Sequence, residues 1–257
     1  MATTDASPWV RAVRASHDRL AALVAGLDGG ALRTQSYDTE WSVADVLSHL
    51  GSGAEISALY IEAGVTGGEP PALDQFKPIW DTWNARSPEE QAAQSVIANE
   101  AYVSRVESLT PEERAAFHVT MFGRMPVDLA GALGMRLSEH ALHTWDVAVT
   151  FDPTAKVAPD AVDLLIDRLS LMTGFLGKQA PAPVGVAVTT TAPDRSFTLD
   201  TGGVTLTPAG ADDAPTASLA LPAEAFIRLV YGRLDNQDDL KASGVTLSEL
   251  KSVFPGF

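Results

Sequence analysis

The stretch Arg136–Thr150, RLSEHALHTWDVAVT, has the pattern of a helix at the centre of the fold. Apolar residues recur along it, and neither Gly nor Pro interrupts them. Glu139 and His143 are four residues apart, a spacing that places both side chains on one face of a helix. A carboxylate and an imidazole directed at one point suit a divalent transition metal such as zinc. Two ligands do not complete a site, so a third is expected from elsewhere in the chain.

The neighbours of this pair refine the prediction. His140 lies about 100° around the helix axis from Glu139, so the polar residues of this helix cannot all share one site. Asp146 follows His143 by three residues and can hold its second ring nitrogen, as outer carboxylates do for metal-binding histidines. The alternative is that Glu139 and His143 bind no metal, because such pairs also occur in helices where they are solvated or only hydrogen-bonded.

The composition describes a soluble globular protein with a full core. The chain has 257 residues, of which 46% are hydrophobic and 20% charged, and this length suits one large domain or two ordinary ones. The formal net charge of -15 argues against nucleic acid or an anionic membrane as a partner. The sequence shows no membrane-spanning run and no signal peptide, so a cytoplasmic location is expected. Because cysteine is absent, disulfides, cysteine-bound metal and a protein thiol nucleophile are excluded.

The N-terminal part, residues 1–153, is predicted to form four helices. Start and stop signals place the first helix from Ser7-Pro8 to Gly29-Gly30 and the second after Ser42, with Asp45 as its capping partner. The third helix is predicted from Ser87-Pro88, and the fourth from Pro126 through the stretch quoted above. His49 falls among the inward-facing residues of the second helix. It is either a structural histidine or the third ligand to the metal. His17 is predicted to be a packed core histidine, and His118 a surface one.

The C-terminal part, residues 154–257, changes periodicity. A helix is predicted from Pro159, and strands at Val184–Thr191, on both sides of Thr201-Gly202-Gly203, and at Ala217–Leu221. Two further helices follow, after Pro222 and at Leu247–Val253. The predicted fold is therefore a mainly α four-helix bundle followed by a small α+β domain with an antiparallel sheet.

Three segments resemble a known family. The segment from Trp41 to Leu50, WSVADVLSHL, is similar to the W-[ST]-V-x-D-V-x-x-H-L signature of the DinB-like superfamily, and Glu139 to Asp146 match its E-x-x-x-H-x-x-D signature. The tail, with its small sheet and the segment LVYGRL ending at Leu234, looks like the sterol-carrier-like domain fused to that bundle in mycothiol-dependent maleylpyruvate isomerases.

The resemblance implies a metal and a thiol. By motif position, His49, Glu139 and His143 would hold one divalent metal, expected to be Zn²⁺. The open coordination position would take the thiol of mycothiol as cosubstrate, which would then attack an electrophilic small molecule in an isomerase or S-transferase reaction. The catalytic candidates are Asp146 and Arg233.

Two further assignments stay open at this stage. Arg233 follows Gly232 at a helix end and could hold a substrate carboxylate, or it is a surface charge near the helix C-terminus. The whole chain could also be a zinc-dependent hydrolase acting through zinc-bound hydroxide, or a non-enzymatic protein that binds small molecules.

Overall fold

The computed structural model describes residues 5–211, 213–235 and 240–256, which divide into two compact units, one ending at Ala158 and the other starting at Pro159. The helices of the first unit are α1 (Ser7–Val24), α2 (Gly29–Leu32), α3 (Val43–Thr66), α4 (Phe76–Asn84), α5 (Pro88–Glu107), α6 (Pro111–Ala116) and α7 (Leu129–Phe151), with strands β1 (Val119–Met121) and β2 (Met125–Val127) before α7. The second unit contains α8 (Pro159–Leu165), α9 (Leu169–Leu176), β3 (Gly185–Thr191), β4 (Arg195–Asp200), β5 (Thr205–Pro208), β6 (Ala217–Pro222), α10 (Ala223–Val230), β7 (Lys241–Ser243) and α11 (Leu247–Val253).

The first unit is a bundle of the long helices α1, α3, α5 and α7, as predicted. Its core is made of aliphatic residues at helical spacing, such as Leu20, Val46, Leu47 and Leu50, each fully buried. The start of α3 is fixed by a capping box, in which the Ser42 hydroxyl accepts from the Asp45 backbone N–H and the Asp45 carboxylate accepts from the backbone N–H of Ser42. This cap sets where the turns of α3 fall, and with them the position of His49.

The structure corrects two helix boundaries. The first helix was expected to run to Gly29-Gly30, but α1 ends at Val24, and the two glycines begin the short helix α2. The reason is Asp28, which caps α2 by accepting from the Ala31 backbone N–H. The fourth helix was expected to open at Pro126, but Pro126 lies in β2 and α7 begins at Leu129, with Asp128 as its cap. The hairpin β1–β2 was not predicted.

The second unit is the α+β fold expected from the sequence. Its sheet has the strand order β5-β4-β3-β6-β7. The pairs β3–β4, β4–β5 and β6–β7 are antiparallel, while the central pair β3–β6 is parallel, with Val188 opposite Leu219. The helix expected from Pro159 to Leu176 is divided into α8 and α9 by a 3-10 turn at Ile166–Arg168.

Residues 154–158, assigned above to the C-terminal domain, belong to the first unit in the structure. They follow α7 directly, and the Trp145 indole N–H donates to the carbonyl oxygen of Ala155 at 2.9 Å. Val157 in the same segment is buried. None of the helices in the described ranges is both long enough and apolar enough to span a bilayer.

Candidate metal centre

Helices α3 and α7 bring three predicted ligands to one point. The Nε2 atom of His49 lies 3.2 Å from Glu139 Oε2, and the Nε2 atom of His143 lies 3.7 Å from the same oxygen. The ring centroids of the two histidines are 4.7 Å apart. Residues 90 positions apart in the sequence therefore meet, because the bundle packs α3 against α7.

The donor set fits a divalent metal. One potential ligand atom from each of the three residues lies within 4.8 Å of the other two. Two ligand atoms on a tetrahedral zinc, with bonds of about 2.1 Å, lie about 3.4 Å apart. The two measured separations from Glu139 Oε2 fall on either side of that value. Two imidazole nitrogens and one carboxylate also form the His₂Glu set of several catalytic zinc sites.

Asp146 lies directly behind His143. Its Oδ2 is 2.8 Å from the Nδ1 atom of His143, and the Asp146 side chain is fully buried. This contact favours the tautomer in which the Nδ1–H donates to the carboxylate, so that the Nε2 lone pair is directed towards Glu139. Asp146 thus occupies the place expected for a residue that orients a metal-binding histidine.

Trp41 covers the histidine rings from one side. Its ring centroid is 5.1 Å from that of His49 and 6.0 Å from that of His143. Burial lowers the pKa of His49, although the hydrogen bond to Glu139 opposes this shift. A lowered pKa keeps the imidazole neutral at neutral pH, which is the form that binds a metal. The cleft still reaches solvent, because the Glu139 side chain is 44% exposed.

The remaining histidines of α7 and the bundle lie elsewhere. His140 is buried against α1, where its Nδ1 atom is 2.8 Å from the Ser16 hydroxyl. His17 is buried in α1 as predicted, with its Nε2 atom 2.9 Å from Glu100 Oε2. His118 is exposed, also as predicted. His143, and not His140, is therefore the histidine of α7 that meets Glu139.

Arg233 lies in the second unit. Its side chain is buried, which contradicts the alternative of a solvent-exposed surface charge. Its Nη1 donates to the carbonyl oxygen of Tyr231 at 3.0 Å, and its own carbonyl oxygen accepts from Arg228. The catalytic role suggested for Arg233 stays a prediction.

One residue beside the site was missed by the sequence analysis. Arg136 is 5% exposed, and its guanidinium reaches α3, where Nη2 donates to the carbonyl oxygen of Leu50 at 2.8 Å. The available signal was its spacing, since it precedes Glu139 by three residues and His143 by seven, and so shares their face of the helix.

The fold and the donor set define a class: helical bundles of the DinB-like type with a candidate metal centre, joined to a small α+β domain. Within that class, the chain belongs to the family of the mycothiol maleylpyruvate isomerase N-terminal domain, whose model matches residues 13–148. This match confirms the resemblance noted in the sequence.

Solved structures confirm the fold over almost the entire chain. A crystal structure of a mycothiol-dependent maleylpyruvate isomerase has a TM-score of 0.72 at 14% identity, and the match covers 97% of this chain and 98% of that one. A mutant of a mycothiol-dependent maleylpyruvate isomerase, with one histidine replaced by alanine, gives a TM-score of 0.71 with the same identity and coverage.

A curated relative is similar over a shorter stretch. A provisionally named metal-dependent hydrolase of Geobacillus thermodenitrificans (strain NG80-2) is 36% identical over 73 residues. The matched stretch is 28% of this chain and 40% of the length of that relative.

Proposed function

We propose that this protein is a divalent-metal-dependent enzyme that uses the thiol of mycothiol to attack an electrophilic small molecule, as a thiol transferase or an isomerase of the maleylpyruvate type. The observation that carries the proposal is the convergence of His49, Glu139 and His143 in a member of this family. Three protein ligands leave one coordination position open, which is typical of catalytic rather than structural zinc.

The residues around the cleft would each have a separate task. His49, Glu139 and His143 would hold the metal, and Asp146 would keep the His143 ring in the orientation that binds it. Trp41 would exclude water from the side of the two imidazoles. When bound, the metal would stabilise the thiolate form of a thiol at neutral pH. The chain contains no cysteine, so the sulfur nucleophile would arrive with the cosubstrate.

The thiol would act on a conjugated double bond. Addition of the sulfur to one alkene carbon turns the double bond into a single bond, about which the substrate can rotate. Elimination then expels the same thiol and restores the double bond in the other geometry. If the adduct is released before elimination, the outcome is S-transfer. Maleylpyruvate is the first substrate to test, because the family and the similar crystal structures are named for it.

A metal-dependent hydrolase is the second candidate, favoured by the name of the Geobacillus relative. It would need a base to take a proton from water near the metal. Asp146 was the candidate, but its side chain is fully buried and in contact with the Nδ1 atom of His143. The geometry therefore supports the thiol reaction better. A non-enzymatic binding protein, the third candidate, would have no use for an open coordination position.

The test is a product analysis by mass spectrometry. The zinc-loaded protein is incubated with maleylpyruvate and a panel of other electrophiles, with and without mycothiol. We expect isomerised product or a thiol adduct only when mycothiol is present, and loss of product with His49→Ala but not with the exposed control His118→Ala. Hydrolysed product that forms equally well without thiol would favour the hydrolase. Binding of the small molecules without any turnover would favour the binding protein.

A further inference from the structure

Arg136 is a buried cation without a carboxylate partner. Its Nη2 donates to the carbonyl oxygen of Leu50 and to the side-chain oxygen of Asn99, and its Cζ lies 5.8 Å from the ring centroid of Tyr102. All of these partners are neutral. Among the described residues no Asp or Glu lies within ion-pair distance of the guanidinium, and the Glu139 carboxylate acts on its charge only from further away. Burying a charge is costly unless the charge is paired, so this arrangement favours an anion that would hydrogen-bond directly to the guanidinium, which no carboxylate of the described residues does.

The guanidinium lies beside the metal ligands. Arg136 is one helical turn before Glu139 on α7, and Gly53 is one turn after His49 on α3. A Cβ atom at Gly53 would stand 2.8 Å from the Nη1 atom of Arg136. The missing side chain at position 53 therefore leaves the space in which the guanidinium lies.

The guanidinium of Arg136 has N–H donors that its hydrogen bonds to Leu50 and Asn99 do not use. Nη1 makes no hydrogen bond to any residue in the described ranges, and Nε is enclosed without a partner. Burial lowers the pKa of Arg136, but an arginine stays protonated at neutral pH. A divalent ion held by Glu139 would offset the charges of the Glu139 and Asp146 carboxylates, which would leave the positive charge of Arg136 unopposed in the cleft.

We propose that Arg136 binds a carboxylate of the small molecule that enters the cleft, through its Nη1 atom beside Gly53. This proposal rests on the proposed function for the identity of that molecule as the electrophile, whose acceptor carbon it would place next to the thiol. The substrates would then be unsaturated acids, and a neutral ester or amide of the same shape would bind more weakly. Guanidinium–carboxylate hydrogen bonds are charge-assisted and are the strong ones in proteins.

The test uses succinate, an unreactive dicarboxylate, and succinamide, its neutral counterpart, in calorimetric titrations of the whole protein. We expect the zinc-loaded wild type to prefer succinate, and Arg136→Met to weaken succinate binding by about tenfold or more, as the loss of one charge-assisted hydrogen bond implies. Arg105→Met is the matched control, because it removes a surface arginine that pairs with Glu62. It should leave succinate affinity unchanged.

A second variant keeps the proposal testable if Arg136→Met does not fold. Gly53→Ala keeps the arginine and its charge but fills the space next to Nη1, and we expect it to weaken succinate binding by several-fold while the zinc content stays at one ion per chain. A folded Arg136→Met protein that binds succinate with wild-type affinity would overturn the proposal. If Arg136→Met does not fold, wild-type affinity for succinate in Gly53→Ala would overturn it. So would equal affinity of the wild type for succinate and succinamide.

The failure of this proposal can be told apart from that of the proposed function. The titrations are repeated on metal-free protein, where the difference between wild type and Arg136→Met should persist, because the guanidinium does not depend on the metal. Absence of zinc binding or of thiol-dependent turnover would refute the proposed function alone, whereas loss of the Arg136 effect in both metal states would refute the carboxylate site alone.

Discussion

At the scale of single residues, the contact between Asp146 and His143 is the one that would prepare the candidate centre for a metal. Asp146 lies three residues after His143 on α7, and its carboxylate meets the ring nitrogen that faces away from Glu139. An outer carboxylate of this kind fixes the ring and raises the basicity of the ligand nitrogen. The sequence predicted this pair from spacing alone, because the contact is local to one helix.

Replacing Asp146 by Asn should weaken zinc binding without unfolding the chain. The amide keeps the shape of the carboxylate but removes its charge, and losses of this kind cost about 10- to 100-fold in metal affinity. Zinc affinity is measured by competition with a chromophoric chelator, and Asp152→Asn, at the exposed end of α7, is the control. An unchanged zinc affinity in Asp146→Asn would show that the contact has no part in metal binding.

His17 should make the stability of the protein depend on pH. Burial lowers its pKa in the folded state, although Glu100 opposes the shift, whereas in the unfolded chain the pKa returns to about 6.5. Below that pH the unfolded state takes up a proton that the folded state resists, so the free energy of unfolding falls as the pH decreases. The slope from one such group is at most about 1.4 kcal/mol per pH unit.

We therefore expect His17→Gln to flatten the pH dependence of the free energy of unfolding between about pH 6.5 and pH 5. Urea denaturation at several pH values measures it. His118→Gln, which changes an exposed histidine, should leave the slope as in the wild type. If His17→Gln retains the full wild-type slope, the buried imidazole is not what couples folding to pH.

At the scale of elements, α3 uses glycines for close approach. The added Cβ atom of an alanine at Gly51 would overlap the ring of Trp83, which is itself buried. At Gly53 the nearest atom would be the end of the Arg136 side chain, at 2.8 Å. A buried indole ring cannot withdraw, whereas the end of a long flexible side chain can shift.

Replacing glycine by alanine should therefore change the stability of the protein differently at positions 51 and 53. Gly53→Ala should be neutral or stabilising, because alanine favours a helix over glycine by about 1 kcal/mol. Gly51→Ala should be destabilising, because overpacking a core costs about 1–3 kcal/mol, which exceeds that gain over most of the range. Urea denaturation of both variants is the measurement. Equal effects of the two substitutions would contradict the packing described for α3.

The helices and strands also show which parts of the fold could be predicted from the sequence. The starts of α3, α5 and α6 follow from Ser or Thr followed three residues later by an acidic residue, and all have capping boxes in the structure. The hairpin β1–β2 was missed because its strands have three residues each, too few for a period-2 pattern. The parallel pairing of β3 with β6 was missed because strand order is set by tertiary packing, and no local signal carries it.

At the scale of the whole molecule, the chain joins two units of different construction, and the three candidate metal ligands all lie in the first. The trio was predictable because two of its members are a helical pair and the third falls in a recognisable motif. Arg136 was not singled out, because its exceptional property is burial in the folded state with neutral hydrogen-bond partners only. That property depends on residues from α3 and α5, far away in the sequence.

Metal binding should stabilise one unit selectively. A ligand that binds only the folded state stabilises it by about 4 kcal/mol at a thousandfold excess over its dissociation constant. Hydrogen–deuterium exchange with zinc or with a chelator should therefore show added protection in peptides from α3 and α7, and unchanged exchange in α10 and α11. Protection that rises equally in both units, or that persists in His143→Ala, would argue against a metal centre confined to the bundle.

Cobalt spectroscopy would decide whether His49, Glu139 and His143 hold a metal to which a thiol has access. The metal-free protein is titrated with Co²⁺ and then with mycothiol, while the absorption spectrum is recorded. We predict one bound cobalt per chain and a new sulfur-to-cobalt charge-transfer band when the thiol is added, both absent in His49→Ala and present in His118→Ala. A wild-type spectrum that does not change on addition of mycothiol would contradict the account.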